Sequence, residues 1–398
     1  EEIQSIKTAS QAQTAASQAL AAEVAGKMGQ IDSKVDTSIQ QVESTYEGKA
    51  SALTIIATDG YRKAVEHNSG GRNTVVYDEQ GNPNIMVVVP RFSYEDLGLP
   101  ELELGTGTPT AFLTNGAPRG EILVGKYLAS NAPGGSAVIG GVDPRAGANY
   151  DAAKELCTRK GAGWHLMSMH EWAAIALFSL ANNTAPRGNT NYGRAHDSNL
   201  ETAIRYDKGV PGDTDGTGRT RTGGGPATWS HDHTEFGIMD LVGNVWEWMG
   251  QMKLQDGRII TTLDNNPGLA EASWTQHPAY YDATAETGGE PRLDTKVNIR
   301  QGEIGNSENA GASNAVTLAS LSKASGYAGI PLLRQLLLET ATANTVTGRL
   351  YTRNFGERFP LRGGGWSHGA GAGLGAVALY SSRVHASSSF GFRPALFV

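Results

Sequence analysis

The chain has 398 residues, of which 39% are hydrophobic, with 51 glycines and a formal net charge of -7. That length allows two or more domains, and the balance excludes a fibrous protein and a chain with an apolar run long enough to cross a bilayer. Net negative charge without a basic stripe interleaved with aromatics argues against nucleic acid as a partner, and the single cysteine, Cys157, excludes an intramolecular disulfide framework or a cysteine metal cluster.

Residues 1–47 are Ala, Ser, Gln and Thr with apolar positions spaced by three or four: Val24, Met28, Ile31, Val35, Ile39 and Val42. That is the spacing of one helix face, and so narrow a stripe on a polar helix is stable only against another such stripe. The segment therefore reads as a parallel coiled-coil stalk. A disordered Ala/Ser-rich linker is the competing reading, and Ala9, Ala12 and Ala16 weaken the seam. Glu1-Glu2-Ile3 lacks the basic and apolar blocks of a secretion signal.

Residues 48–84 read as a β connector in which Thr74–Tyr77, the turn residues Asp78–Pro83 and a continuously apolar run Ile85–Pro90 make a hairpin entering the main domain, residues 85–398. Ile122–Tyr127 is the next strand. A helix begins near an Asn or Asp cap at Asn149–Asp151 and carries Cys157 on an apolar face as a core thiol. Ser168 and Glu171 have capping-box spacing ahead of an apolar helix, with His165 and His170 flanking its start as capping or surface residues. Residues 183–235 form a glycine-rich stretch too long for an ordinary connection and too polar for a core. Within it, His231 and His233 are spaced to share one strand face and chelate a metal, but no third ligand is identifiable and a polar-loop role is preferred. Residues 250–350 read as insertions around the last segment, with a helix after Pro331 spanning 329–339.

The C-terminal stretch is compositionally odd. From Gly365 to Phe390 there is no Lys, Glu, Asp, Asn, Gln or Met, while Ser, His, Tyr and Phe are kept. Short hydroxyls and aromatics are the makings of an adaptable binding surface. A glycine/serine-rich terminal loop of chance composition is the alternative.

The run Gly363-Gly364-Gly365-Trp366 followed by Gly391-Phe392-Arg393-Pro394-Ala395-Leu396 resembles the variable region of proteins diversified by retroelements on a C-type-lectin fold, the phage tropism determinants among them. The block Gly243-Asn244-Val245-Trp246-Glu247-Trp248, together with the Leu166–Trp172 helix start, resembles the sulfatase-modifying-factor branch of the same fold, which includes the formylglycine-generating enzymes. Together these resemblances cover roughly residues 85–398. They imply an α+β, loop-rich C-type-lectin-like domain with a variable region at about 361–398, its loops pinned by Trp246, Trp248, Trp366 and Phe392 packing inside and its Arg383 and Arg393 fixed by backbone carbonyls. Adenine-directed diversification excludes Lys, Glu, Gln, Met and Trp, and the positions assigned as variable obey that rule: Gly365, Ser367, His368, Gly371, Ala378, Tyr380, Ser381, His385, Ser387, Ser388, Ser389 and Phe390. Tyr380, His385 and Phe390 are the expected hot spots of this variant.

The implied function is that of a receptor-binding protein at a phage tail-fibre tip, located in the virion and trimeric through its stalk. Its partners would be a bacterial cell-surface protein or glycan and other tail proteins, with no nucleic acid and no membrane insertion. A surface-displayed adhesin of the same fold, or a sulfatase-modifying-factor-like enzyme of other chemistry, are the alternatives. The oxidase chemistry of the formylglycine branch needs two cysteines near the C-terminus and is excluded. No catalytic residue or cofactor is expected. The resemblance implies one candidate metal, a structural calcium at Asn244 and Glu247. Alternatively Asn244 caps a turn and Glu247 pairs with a buried arginine such as Arg362 or Arg393.

Overall fold

The computed structural model describes residues 2–46, 60–286, 289–300, 314–341 and 346–397. The chain divides into two compact units, residues 1–60 and 61–398. The first contains one long helix, α1 (Glu2–Tyr46). It is Ala-rich and free of proline, and its apolar stripe, Leu20 through Ile39, is exposed.

The second unit begins in a helix that the sequence reading missed, α2 (Gly60–Ser69). Strands Asn73–Tyr77 and Pro83–Pro90 then form the expected hairpin, with Val75 opposite Ile85. The Asp78 carboxylate closes its turn by accepting from the amides of Gln80 (3.1 Å) and Asn82 (2.9 Å), as an Asx turn requires. The hairpin is the edge of a five-stranded antiparallel sheet whose remaining strands are Glu121–Gly125, Pro394–Leu396 and Trp164–Leu166. It is therefore part of the main unit and no separate connector.

Two helices pack with this sheet. In α3 (Tyr150–Thr158), the Asn149 side chain accepts from the Ala152 amide at 2.9 Å, and Cys157 is buried. Before α4 (Met169–Ala181), Ser168 and Glu171 form the full capping box. Helix α4 is apolar on every face and is buried from Met169 to Leu177, as a helix in the middle of a core must be.

His165 and His170 are not surface residues. His165 Nε2 lies 2.9 Å from Glu171 Oε1, and His170 bridges the hydroxyls of Thr110 (2.8 Å) and Thr262 (2.9 Å) at 1% exposure. Burial lowers the His170 pKa to about 4, against the opposing pull of Asp264 and Glu171. Its folded pKa lies below its ordinary 6.5, so its contribution to stability is complete above pH 6.5 and is lost as pH falls toward 4. The full loss is at most about 3 kcal/mol. His170→Gln keeps a hydrogen-bonding side chain that does not titrate in this range and should flatten the fall in melting temperature between pH 6.5 and 4. A slope equal to that of the parent would show that His170 is not the group responsible.

Two short hairpins, Leu113–Thr114 with Ala117–Pro118 and Ser130–Ala132 with Gly135–Ala137, stand apart, and an eleven-stranded sheet holds the other strands. Its centre is Glu357–Gly363, which pairs antiparallel with Gly373–Ser381, Met252–Gln255 and Trp246–Trp248. Strand Phe390–Phe392 runs parallel to Trp246–Trp248, and the chain then crosses at Arg393 into the five-stranded sheet. Residues 250–350 supply much of this sheet as regular strands. The expected helix after Pro331 shortens to α5 (Pro331–Gln335). Leu337, at φ 53°, turns the chain out of the helix, and the Glu339 carboxylate gathers Lys323, Tyr327, Arg334 and the Ile330 amide. Most of the Gly302–Ala315 run lies outside the described residues.

Candidate functional site: a two-loop face around Trp246

The antiparallel pair Glu357–Gly363 and Gly373–Ser381 holds one loop, 364–372, between its strands and leads into a second, 382–389. Both loops are tied to the Asn244–Trp246 segment. Trp366 donates its amide to the Asn244 carbonyl (3.0 Å), and Trp246 donates its amide to the Ser389 carbonyl (2.8 Å).

Around Trp246 lies a run of edge-to-face rings: Trp246 with His368 (5.0 Å between centroids), Trp246 with Tyr351 (6.0 Å) and Tyr351 with Tyr380 (6.4 Å). His368 is half-buried, and burial lowers its pKa, so the ring is neutral at pH 7. Trp246 Nε1 and the Gly365 amide each approach one ring nitrogen at 3.2 Å. A neutral imidazole accepts at only one nitrogen, so one of these contacts is the hydrogen bond.

The residues assigned as variable fall into two groups. Ser367 and Ser388 are exposed, and His368, Tyr380, His385, Ser387 and Ser389 are partly so. Gly365, Gly371, Ala378, Ser381 and Phe390 are buried. Phe390 packs under the face between Trp248 (5.5 Å) and His385 (5.0 Å), so it cannot be a contact hot spot in this chain. Ala378 lies in the centre of its strand, and Ser381 Oγ meets His385 Nδ1 at 3.0 Å. Trp366, expected inside, is half-buried at the rim.

Residues 183–235 flank the same face. The Tyr192 amide bonds the Trp366 carbonyl (2.7 Å), the Gly369 amide bonds Thr190 (3.0 Å), and Arg219 reaches the Ser388 carbonyl (3.1 Å). Among its other ties, a pair of asparagines fastens residues 218–220 of this stretch beneath the face. The Asn244 side chain accepts from the Thr220 amide (2.9 Å) and donates to its carbonyl (3.2 Å). Asn189 accepts from Gly193 N and donates to Gly218 O. No motif signals Asn189. Its role depends on contacts distant in sequence.

Asn244 and Glu247 do not fit a calcium ion. Both Glu247 oxygens are taken by Arg393, at 2.9 Å from Nε and 2.8 Å from Nη2, and the Asn244 oxygen is taken by Thr220. A cation here would have to displace a buried guanidinium. Arg393 also donates to the carbonyls of Gly125 and Met239, the backbone anchoring expected of it. Arg383 differs: its partners are the carboxylates of Glu357, Glu271 and Asp151, which tether the second loop at its base. Arg362 is buried against the carbonyls of Leu336 and Leu337, and burial lowers its pKa to about 9.

His231 and His233 do not share a strand face. His231 is buried and accepts from the Ile238 amide at 2.9 Å, while His233 turns away at φ 54°. Among the described residues no group of three or more His, Cys, Asp or Glu is arranged to hold a metal.

No protein-family model matches this sequence, and no curated protein matches it. Among solved structures the chain is similar to the Major Tropism Determinant U1 variant, with 12% identity over 69% of this chain and a TM-score of 0.28. It spans 50% of that chain's length. It is also similar to PvdO from Pseudomonas aeruginosa, with 14% identity over 82% of this chain and 98% of the other at a TM-score of 0.31. For Treponema denticola variable protein 1 the identity is 12% over 81% and 98%, with a TM-score of 0.31.

Proposed function

We propose that this chain is a receptor-binding protein whose C-type-lectin-like domain engages a ligand through the two loops around Trp246. The ligand is a protein or glycan on a bacterial surface, and the setting is a phage tail-fibre tip in the virion, assembled with other tail proteins and with copies of itself. The loop residues vary under a retroelement, and the face binds without catalysing.

One observation carries this reading. The outward side chains of the two loops and of Tyr380 beside them are short hydroxyls, aromatics and the small apolar Ala370, Val384 and Ala386, with no long polar chain but the tethered Arg383, while the residues beneath them are tied down. Ser367, His368, Tyr380, His385 and Ser388 sit over a floor formed by Trp246, Trp248 and Phe390 and anchored at Arg383 and Arg393. A surface whose side chains are not needed for the fold can change partner without changing structure.

Sequencing the 3′ end of the gene across a natural population tests the reading. Substitutions should fall at the assigned positions and spare Gly363, Gly364, Trp366, Arg383 and Arg393. An invariant 3′ end would sink it. For a ligand recovered from whole-cell binding, Tyr380→Ala should weaken binding by at least about tenfold, the scale of an aromatic hot spot. An unchanged affinity would remove Tyr380 from the face.

A further inference from the structure

The exposed stripe of α1 has a more specific pattern than one helix face. Leu20, Val24, Met28, Ile31, Val35, Ile39 and Val42 follow steps of four, four and three, repeated, so each apolar column recurs after eleven residues: Leu20, Ile31 and Val42; Val24 and Val35; Met28 and Ile39. Leu20, Met28 and Ile31 are 60–62% exposed, and Val24, Val35 and Ile39 are 49–50% exposed. An eleven-residue repeat corresponds to about 3.67 residues per turn and winds helices to the right, whereas a heptad winds them to the left.

The charges beside the stripe indicate what covers it. At that period Lys27 and Lys34 lie on one flank, and Asp32 and Asp36 lie at matching offsets on the other. Asp32 follows Lys27 by five residues, the offset at which flanking charges on parallel neighbours meet. Glu23 shares the lysine flank, but it is paired within the helix to Lys27 at 2.8 Å with both groups largely exposed, a weak competitor. A helix with a basic flank on one side of its seam and an acidic flank on the other is complementary to a parallel copy of itself.

We infer that α1 assembles with further copies of this chain in parallel, along an eleven-residue seam with a right-handed superhelix. This deepens the self-association proposed above and requires nothing of the ligand-binding face. The competing heptad seam would use Ala21, Val24, Met28, Ile31, Val35 and Ser38, leaving Leu20 and Ile39 outside. The two registers thus differ at four positions.

Variants of the full chain with one added cysteine separate them, because the native Cys157 is buried and does not compete. Leu20→Cys and Ile39→Cys should form interchain disulfides on mild oxidation at least tenfold faster than Ala21→Cys and Ser38→Cys. Sedimentation of the parent should give the mass of an oligomer, and the Val24→Asp/Ile31→Asp variant that of a single chain. Faster cross-linking at Ala21 and Ser38 overturns the register while leaving self-association intact. A single-chain mass for the parent across the micromolar range overturns the association itself, and an oligomer that cross-links at none of the four positions overturns the parallel arrangement.

Discussion

Replacing Arg393 with methionine should cost the folded state about 3–5 kcal/mol, the largest loss expected from any single side chain in the site. The guanidinium is 0% exposed and its carboxylate partner 1%. It stands where the chain leaves strand Phe390–Phe392 of one sheet and enters strand Pro394–Leu396 of the other, and it also holds carbonyls of Gly125 and Met239. Methionine fills much of the volume but donates nothing. Two carbonyls lose their donor, and Glu247 is left buried without a countercharge.

The loss should depend on pH in a definite direction. Burial is the largest influence on the Glu247 carboxyl and raises its pKa even with Arg393 beside it. Removing the guanidinium raises it further. A carboxyl whose folded pKa exceeds its unfolded value supports stability at low pH and loses that support as pH rises through the folded value. The deficit of Arg393→Met in urea titrations should therefore be smaller at pH 5 than at pH 8. Adding Glu247→Leu should recover much of it, since a well-packed apolar pair can replace a buried ion pair. A deficit that is the same at both pH values, with no recovery in the double variant, would show that the carbonyl contacts and not the ion pair determine the cost.

The parts of this arrangement that were legible in the sequence share a physical origin. The hairpin, the Asn149 cap, the Ser168–Glu171 capping box and the α1 stripe are set by residues within a few positions of one another. The Gly-Asn-Val-Trp-Glu-Trp block and the terminal Gly-Phe-Arg were legible as resemblances, and the Glu247–Arg393 pair joins them in space. What was not legible depends on distant contacts. His170 lies between Thr110 and Thr262, Asn189 pins a loop through Gly218, and strands drawn from residues 250–350 complete a sheet centred on 357–363. Exposure within the last loops was also out of reach. Phe390 and Ser388 lie two positions apart, yet one is floor and the other surface, because only Phe390 enters the strand beside Trp246.

Four glycines, Gly363 at the end of its strand and Gly364, Gly365 and Gly371 in the first loop, should divide sharply when substituted. Gly363 and Gly364 have φ of 88° and 91°, a region L-residues avoid. A Cβ on Gly363 would stand 2.2 Å from the Leu241 carbonyl oxygen, and one on Gly364 would stand 2.5 Å from Ala372 Cβ. Neither neighbour can step aside, since one is backbone and the other is buried at the foot of the adjoining strand. Gly363→Ala or Gly364→Ala combines the left-handed penalty of about 1 kcal/mol with a clash that must move the strand pair, and should cost about 3 kcal/mol or more.

Gly365 and Gly371 do not have positive φ. A Cβ at Gly365 meets His368 Nδ1 at 3.4 Å and Trp246 Cδ1 at 3.5 Å, which is ordinary contact. At Gly371 it meets Tyr351 Oη at 3.1 Å and Arg349 Cδ at 3.4 Å, the outer parts of two side chains that can give way. Gly365→Ala and Gly371→Ser should change stability by no more than about 1 kcal/mol. A residue larger than serine at Gly365 should displace His368, which is itself among the positions assigned as variable, so the two are expected to change together. Urea denaturation of the four variants decides the matter. If Gly365→Ala and Gly371→Ser unfold as readily as Gly363→Ala, these positions are framework and the proposed binding face contracts to the exposed residues of the two loops. If they hold, the chain separates glycines the backbone requires from glycines it merely carries, as the proposed diversification requires.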